Sequence, residues 1–409
     1  MRNFERSQNA PLAPLAREKT QIKKIPTEEI IELTDEDLED ITELDENNIE
    51  FIEEPTRVES REHEAKLKYG MASEASVEHP DRNEDAVFYS PKRGMQFVAD
   101  GMGGVPAGDY ASAKAAEQLT LDGLQKASEA TQKALLAERQ EILTQEAVEN
   151  AITEIIKQMD QEIVKNNQSN KIIRAKAQEY IQKELGEFDP TNPQHAKAYE
   201  GLLKSIGCTV SMSKVWRGAD GKDHLTIGNV GDSRTYRLRG GTLEKLSEDH
   251  SHVQILQKEG LIENDEDVET QIDKQKIMAL EDKYPEIRAL IPSLVRSPNQ
   301  FVTIDSIRNK ITMAAGVSEM MKKQFGVEFK PFIKTVDLDK GDVIFTASDG
   351  VIDNLTDSEI QAILLLNSEN PTQAANELKQ AALERSIKGK EHNARAKKDD
   401  ITALVTRYE

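Results

Sequence analysis

Met95-Gln96-Phe97-Val98-Ala99-Asp100-Gly101-Met102-Gly103-Gly104 reads as a short apolar strand that runs into an aspartate and then into a glycine-rich turn. The same placement of an aspartate, at the border of a predicted strand, recurs along the chain. It is found in Asn83-Glu84-Asp85, in Gly228-Asn229-Val230-Gly231-Asp232-Ser233-Arg234, in Ala347-Ser348-Asp349-Gly350 and in Lys398-Asp399-Asp400-Ile401-Thr402. One such aspartate alone is most simply a turn residue that caps its own loop. Several with the same placement argue for carboxylates gathered at strand ends and facing a common cleft.

Converging carboxylates cannot all ionise without compensation, because each charge raises the pKa of its neighbours. A divalent cation is the natural compensation, and glycine beside an aspartate lets a cation come close to a backbone carbonyl. The donors in these motifs are oxygens. The chain has a single cysteine, Cys208, and the motifs contain no paired histidines. An all-oxygen set suits Mg2+ or Mn2+ rather than Zn2+.

Around the motifs, Glu84–Ser90 and Met95–Ala99 predict strands joined by a Pro91–Gly94 turn. Ala107 to about Asn167, Lys171–Glu184 and Ala196–Lys204 carry apolar residues at helical spacing, interrupted at Pro190 and Pro193. Strands are expected again at Cys208–Val215, His224–Asn229 and Ser233–Arg239, then a helix over His250–Glu259 and an irregular, charged stretch over Asn264–Asn309. Phe332–Leu338 and Val343–Ala347 read as strands. Helices follow over Thr356–Leu366, with a Thr356/Glu359 capping box, and Pro371–Arg385, with Asn370 as N-cap; Ile401–Thr406 closes as a strand. The order predicts an α+β domain of sheets packed together with helices outside, not a regular βαβ alternation.

The net charge is −21, and two-thirds of it comes from fourteen acidic residues between Ile25 and Thr56, a stretch with no Lys, Arg or His. Residues 1–64 are therefore expected to form a disordered acidic extension, with residues 65–409 as the folded domain. The extension reads first as a solvating tail; apolar residues such as Ile30, Leu33, Leu38 and Ile41 running through it also allow a segment that docks on a partner or inhibits the domain. The overall acidity disfavours nucleic acid. Lack of a long apolar stretch or a signal-peptide-like start argues against a membrane and for a cytoplasmic protein. One cysteine excludes an intrachain disulfide and a cysteine zinc site.

Taken in order, the acidic motifs resemble the metal-dependent serine/threonine protein phosphatase family, type 2C, with a bacterial-like motif set, over roughly residues 65–409. Gly108, Ala111-Ser112, Gly207-Cys208-Thr209 and Leu246-Ser247-Glu248-Asp249-His250-Ser251 extend the match. The resemblance implies an α-β-β-α sandwich of two antiparallel sheets flanked by helices. It implies hydrolysis of phosphoserine and phosphothreonine esters on proteins by a metal-activated water, with no phosphoenzyme and Cys208 as a small buried side chain. By the same resemblance Asp100 bridges two ions and the Gly101 carbonyl ligates one of them; Asp349 and Asp399 complete one ion's shell, and Glu84 holds the other, with Asp85 a direct ligand or one layer behind. Asp232 and Asp353 are placed for a looser third ion. The catalytic set is Asp100, Asp349 and Asp399.

The chain departs from the family where Pro80 stands at the position of a phosphate-binding arginine; Arg82 and His79 are the substitutes in reach, and His79 is also a candidate proton donor, since Met102 stands where some relatives have histidine. Two segments look expanded: a helical one, about 125–204, and a flap-like one, about 264–309, read as a substrate-choosing element. Pro80 also supports a rival reading, a catalytically weak or inactive member of this fold that binds phosphoproteins. A hydrolase of small phosphoesters would use the same chemistry.

Overall fold

The computed structural model describes Ile52–Glu53, residues 67–102 and residues 107–409. The expectations for the rest of residues 1–64 and for Gly103 and Gly104 lie outside the described residues. Among the described residues the strands form a seven-stranded sheet, a five-stranded sheet and a two-stranded hairpin. Asp85–Ser90, Met95–Asp100, Val210–Gly218, Asp223–Val230 and Phe332–Leu338 lie side by side in the first sheet, each antiparallel to its neighbour. Two short strands join it in parallel: Ile52–Glu53 along Asp85–Ser90, and Ile142–Leu143 along the end of Val210–Gly218. The second sheet, Leu67–Glu74, Ile401–Tyr408, Val343–Ala347, Arg234–Arg239 and Thr242–Lys245, is antiparallel throughout.

Alternation along the strands gives each sheet two buried faces. Val87, Val98, Val215, Leu225 and Ile227 of the first sheet meet Ile344, Leu404 and Tyr408 of the second. The far face of the first sheet, with Phe88, Met95, Phe97, Met212 and Trp216, packs under helices Gly108–Glu117 and Gln145–Ser169. The far face of the second, with Phe345, Ala403 and Val405, packs under Asp357–Leu366 and Pro371–Lys388. This is the sandwich with helices on both outer faces that the sequence led us to expect.

A polar seam also runs between the sheets. Ser211 Oγ bonds Thr235 Oγ1 (3.0 Å), Thr235 bonds Thr346 (3.0 Å), Gln96 donates to Thr346 (3.1 Å), and Thr406 donates to Gln96 (2.6 Å). Directional bonds fix how the sheets slide against each other, which apolar contacts alone do poorly. They therefore set the offset between the strand ends that carry Asp100 and Asp349.

The caps expected at Thr356 and Asn370 are present, and Thr356 and Glu359 form the reciprocal capping box. Two stretches differ from their reading. Segment 264–309 is not irregular: a hairpin (Gln271–Asp273 with Phe301–Thr303) and short helices close on their own core of Ile272, Ile277, Ile287, Leu290, Leu294 and Ile304. Apart from Asp265 and Arg308, which turn inward, its many charged residues hide that apolar spacing from a linear reading. In segment 125–204, Gln145–Ser169 is no appendage. Ile152 and Ile156 press so close to Gly228 that an added Cβ would stand 2.4 Å from Ile152, so this helix belongs to the core. Strands Leu67–Glu74 and Thr242–Lys245 are additions that the sequence did not reveal. No described helix is long and apolar enough to cross a membrane.

Candidate metal centre

The acidic motifs meet at one end of the sandwich. Asp85 opens one strand and Asp100 ends the next, and the two are register partners, so their side chains lie on one face. The Gly101 N–H donates to the Glu84 carbonyl (2.9 Å). A Cβ on Gly101 would lie 2.3 Å from the Gly108 carbonyl oxygen, so the chain can turn here only with glycine. From the second sheet, Asp349 follows the strand Val343–Ala347, and Asp399 precedes Ile401–Tyr408. Ser348 joins the two sheets: its hydroxyl donates to Asp85 Oδ2 (2.7 Å) and accepts from the Thr402 N–H (3.1 Å). Asp400, adjacent to Asp399 and directed elsewhere, accepts the N–H groups of Ser76 and Glu84 at 2.6 Å each. Asp232 and Asp353 line a small cleft beside Asp349, together with Arg234, Asp249, Asp265 and Arg308.

Residues 312–409 match the family described as Stage II sporulation protein E (SpoIIE). The serine/threonine phosphatase stp of Listeria welshimeri is 28% identical over 191 residues, 46% of this chain and 57% of that protein. Its Listeria innocua counterpart is 27% identical over the same share. The match thus spans just over half the length of these curated relatives. Among solved structures, the serine/threonine phosphatase Stp1 from Staphylococcus aureus superposes with a TM-score of 0.52 at 22% identity, covering 86% of this chain and all of that one. The S. agalactiae serine/threonine phosphatase gives 0.51 at 18%, covering 84% and 100%. The chain is similar in sequence to these serine/threonine phosphatases and shares the fold of the solved ones.

The acidic end is electrostatically loaded. Burial, then the charges of Asp85, Asp349 and Asp399, hold the Asp100 carboxyl well above its ordinary range. Burial and Asp400 do the same to Asp85, and burial and Asp349 to Asp232. Asp349 is pushed up to about 6 by burial, against the pull of Lys397. Glu84 is pushed up to about 7 by burial and by Asp400 and Asp109, against Arg82. Burial would raise Asp353 too, but Lys397 and Arg308 outweigh it and keep its carboxyl low. A cluster whose members raise one another in this way would be relieved by a bound cation. The hydrogen bonding agrees: Asp85 Oδ1 and Asp349 Oδ1 are buried oxygens without a hydrogen-bond partner. The donor set fits hard divalent ions.

Both candidate phosphate ligands lie at the rim and are already engaged. Arg82 pairs with Glu84 (3.1 Å), and His79 Nδ1 donates to the Arg82 carbonyl (2.8 Å). Among the described residues the group of three that brings ligand atoms within 4.8 Å of one another is His79, Glu84 and Asp400, not Asp100, Asp349 and Asp399, which lie farther apart. Cys208 is buried in the core, its thiol donating to the Ala111 carbonyl at 3.6 Å.

Sequence reading missed Lys397. Its ammonium pairs with Asp349, with Asp353 (3.0 Å) and with Asp399 (3.1 Å). It stands two residues before Asp399, in a run of basic residues that looks like an ordinary solvated turn. Asp400 and Ser348 were quoted within motifs, but nothing local indicates that they brace the site. Alternation does separate Asp399 from Asp400, since successive extended residues face opposite ways.

Proposed function

We propose that this chain hydrolyses phosphoserine and phosphothreonine esters on proteins at a binuclear Mg2+ or Mn2+ centre. The observation that carries the reading is the convergence of Glu84, Asp85, Asp100, Asp349 and Asp399 from both sheets, with buried carboxylate oxygens lacking hydrogen-bond partners. The relatives named as serine/threonine phosphatases support the substrate class. Glu84, Asp85, Asp100, the Gly101 carbonyl, Asp349 and Asp399 would hold two ions, with Asp232 and Asp353 beside a third. When bound, such ions neutralise the phosphoryl oxygens and acidify a water to serve as nucleophile.

The chain's own residues do the rest. Asp85 is oriented by the Ser348 hydroxyl, and Asp100 by the Thr209 side chain, which accepts the Asp100 N–H at 3.0 Å. Arg82, half-exposed at the rim, turns from Glu84 to the incoming phosphate and offers a charge-assisted fork. The Arg82 carbonyl fixes Nδ1 of His79 as a donor, and Asp400 and Glu84 favour its charged form. His79 is thereby poised to give a proton to the leaving seryl or threonyl oxygen. Segment 264–309, which reaches the Asp232 cleft through Asp265 and Arg308, would select the peptide. The single reduced thiol suits a cytoplasmic location.

The test is hydrolysis of a phosphothreonine peptide by purified protein with Mn2+, with Mg2+ and with chelator. Metal-dependent turnover supports the reading; none with any metal, in folded protein, refutes it. A second reading, a phosphoprotein-binding member without turnover, is favoured by one observation: a lysine ammonium already sits among Asp349, Asp353 and Asp399. Phosphopeptide binding without hydrolysis would select it.

A further inference from the structure

Lys397 is held in the acidic centre by a purpose-shaped clamp. The buried side chain of Asn354 accepts the Lys397 N–H (3.1 Å) and donates to the Lys397 carbonyl (3.0 Å) as well as to the Gly350 carbonyl (2.8 Å). Backbone donor and acceptor of one residue are thus both fixed by one amide, which is itself tied to the turn that carries Asp349. The side chain then reaches three carboxylates, and Asp232 adds a fourth negative charge nearby. An ammonium there supplies the positive charge that the cluster requires, and it does so from within the chain.

A lysine is suited to such a role in a way that arginine is not: it is a compact point charge on a flexible four-carbon stem and can leave a site without unstacking or breaking a fork. A divalent ion bound by Asp349 and Asp399 would stand within a few ångströms of the ammonium, where like charges repel strongly in a poorly solvated cleft. The two cations cannot share these oxygens.

We infer that Lys397 is a tethered counter-ion that competes with a divalent cation for Asp349 and Asp399, so that metal binds only as the lysine swings out. The inference rests on the metal-centre reading above. It makes Lys397 the residue that sets how much Mg2+ or Mn2+ the protein needs.

The experiment measures Mn2+ binding to the full chain directly, by the loss of the free-ion paramagnetic resonance signal, for wild type, Lys397→Met, Lys397→Gln and Lys397→Arg. Melting temperature in chelator is recorded for each. If the lysine holds the site for about 90% of the time, neutral substitution tightens apparent Mn2+ affinity about tenfold. Lys397→Met and Lys397→Gln should also melt lower than wild type in chelator and gain more from Mn2+. Lys397→Arg should bind no tighter than wild type. Should one neutral variant fail to fold, the other carries the comparison, and a failure of both in chelator with rescue by Mn2+ is itself the expected replacement of one cation by the other. Equal or weaker Mn2+ binding by the neutral variants, with wild type binding normally, overturns the inference and leaves the metal centre standing. Absence of Mn2+ binding in wild type and variants alike overturns both.

Discussion

Asp85 and Asp100 are register partners on adjacent antiparallel strands, so the backbone ladder forces two carboxylates side by side at the end of the sandwich. Directly opposed like charges weaken a sheet. That they stand there implies that the pair is kept for something other than stability, and the proposed cation would relieve it.

Asp100→Asn should therefore separate function from stability. Metal-dependent turnover of a phosphothreonine peptide is expected to fall by about a thousandfold or more, as when a bridging charge is lost from a metal site. The melting temperature in chelator should rise, because one of the repelling charges is gone. Paired kinetics and thermal melts check this; a lower melting temperature in chelator contradicts it.

The raised carboxyls give a signed pH dependence. Asp349 moves from 3.8 to about 6 and Glu84 from 4.5 to about 7. The folded state then holds more protons than the unfolded state between those values, so stability falls as pH rises. Metal-free protein should lose stability progressively from about pH 4 to pH 7 through these two groups, and saturating Mn2+ should flatten the curve above pH 6. Glu359, lowered to about 2 by Arg385, works in the opposite sense, but at lower pH. Urea denaturation at fixed pH values with and without Mn2+ reads both.

Gly350→Ala should be costly. A Cβ at this position would stand 1.8 Å from the Asp400 carbonyl oxygen. Backbone on both sides must move, which loosens Asp349 and the entry to strand Ile401–Tyr408 together. We expect a loss of about 2 kcal/mol or more together with weakened Mn2+ binding, read by denaturant titration and by the metal isotherm.

Arg234 ties the 264–309 segment to the core. Its guanidinium pairs with buried Asp249 (2.6 Å) and with Asp265 of that segment. Arg234→Ala leaves buried Asp249 with only the longer pair to Lys245 (3.5 Å) and should cost about 3 kcal/mol. Asp265→Ala leaves the Arg234–Asp249 pair intact, so global stability should change little, while protease cuts within 264–309 become faster. Denaturation and limited proteolysis of the two variants distinguish the roles; equal destabilisation would show that the segment is part of the main core.

Cys208 offers a simple control. Burial pushes its thiol up, so alkylation by iodoacetamide should require unfolding, and Cys208→Ala should keep turnover within about twofold while losing about 1 kcal/mol of packing.

Much of the site was legible because each acidic motif carries its own local geometry. An apolar run, an aspartate and a glycine specify a strand end and a tight turn at Asp100, and Ala347-Ser348-Asp349-Gly350 does the same. The capping pairs at Thr356 and Asn370 were legible for the same reason, since a cap is a contact between near neighbours. Segment 264–309 was misread because its apolar residues form short pieces that find a core only with each other and with the helix His252–Lys258.

What the sequence determined by itself was the set of strand-end carboxylates and the alternation that buries both faces of each sheet. Which carboxylates stand together was decided by tertiary structure, through the pairing of Asp85 with Asp100 and the Ser348 bridge between the sheets. The place of Lys397 was decided there too. Its charge reads as solvated in the sequence, and only the Asn354 clamp, 43 residues away along the chain, turns it inward. The physical reason is range. Turns and caps are contacts over a few residues, whereas the field at the acidic end is the sum of charges from distant segments, and that sum exists only once the sheets have packed.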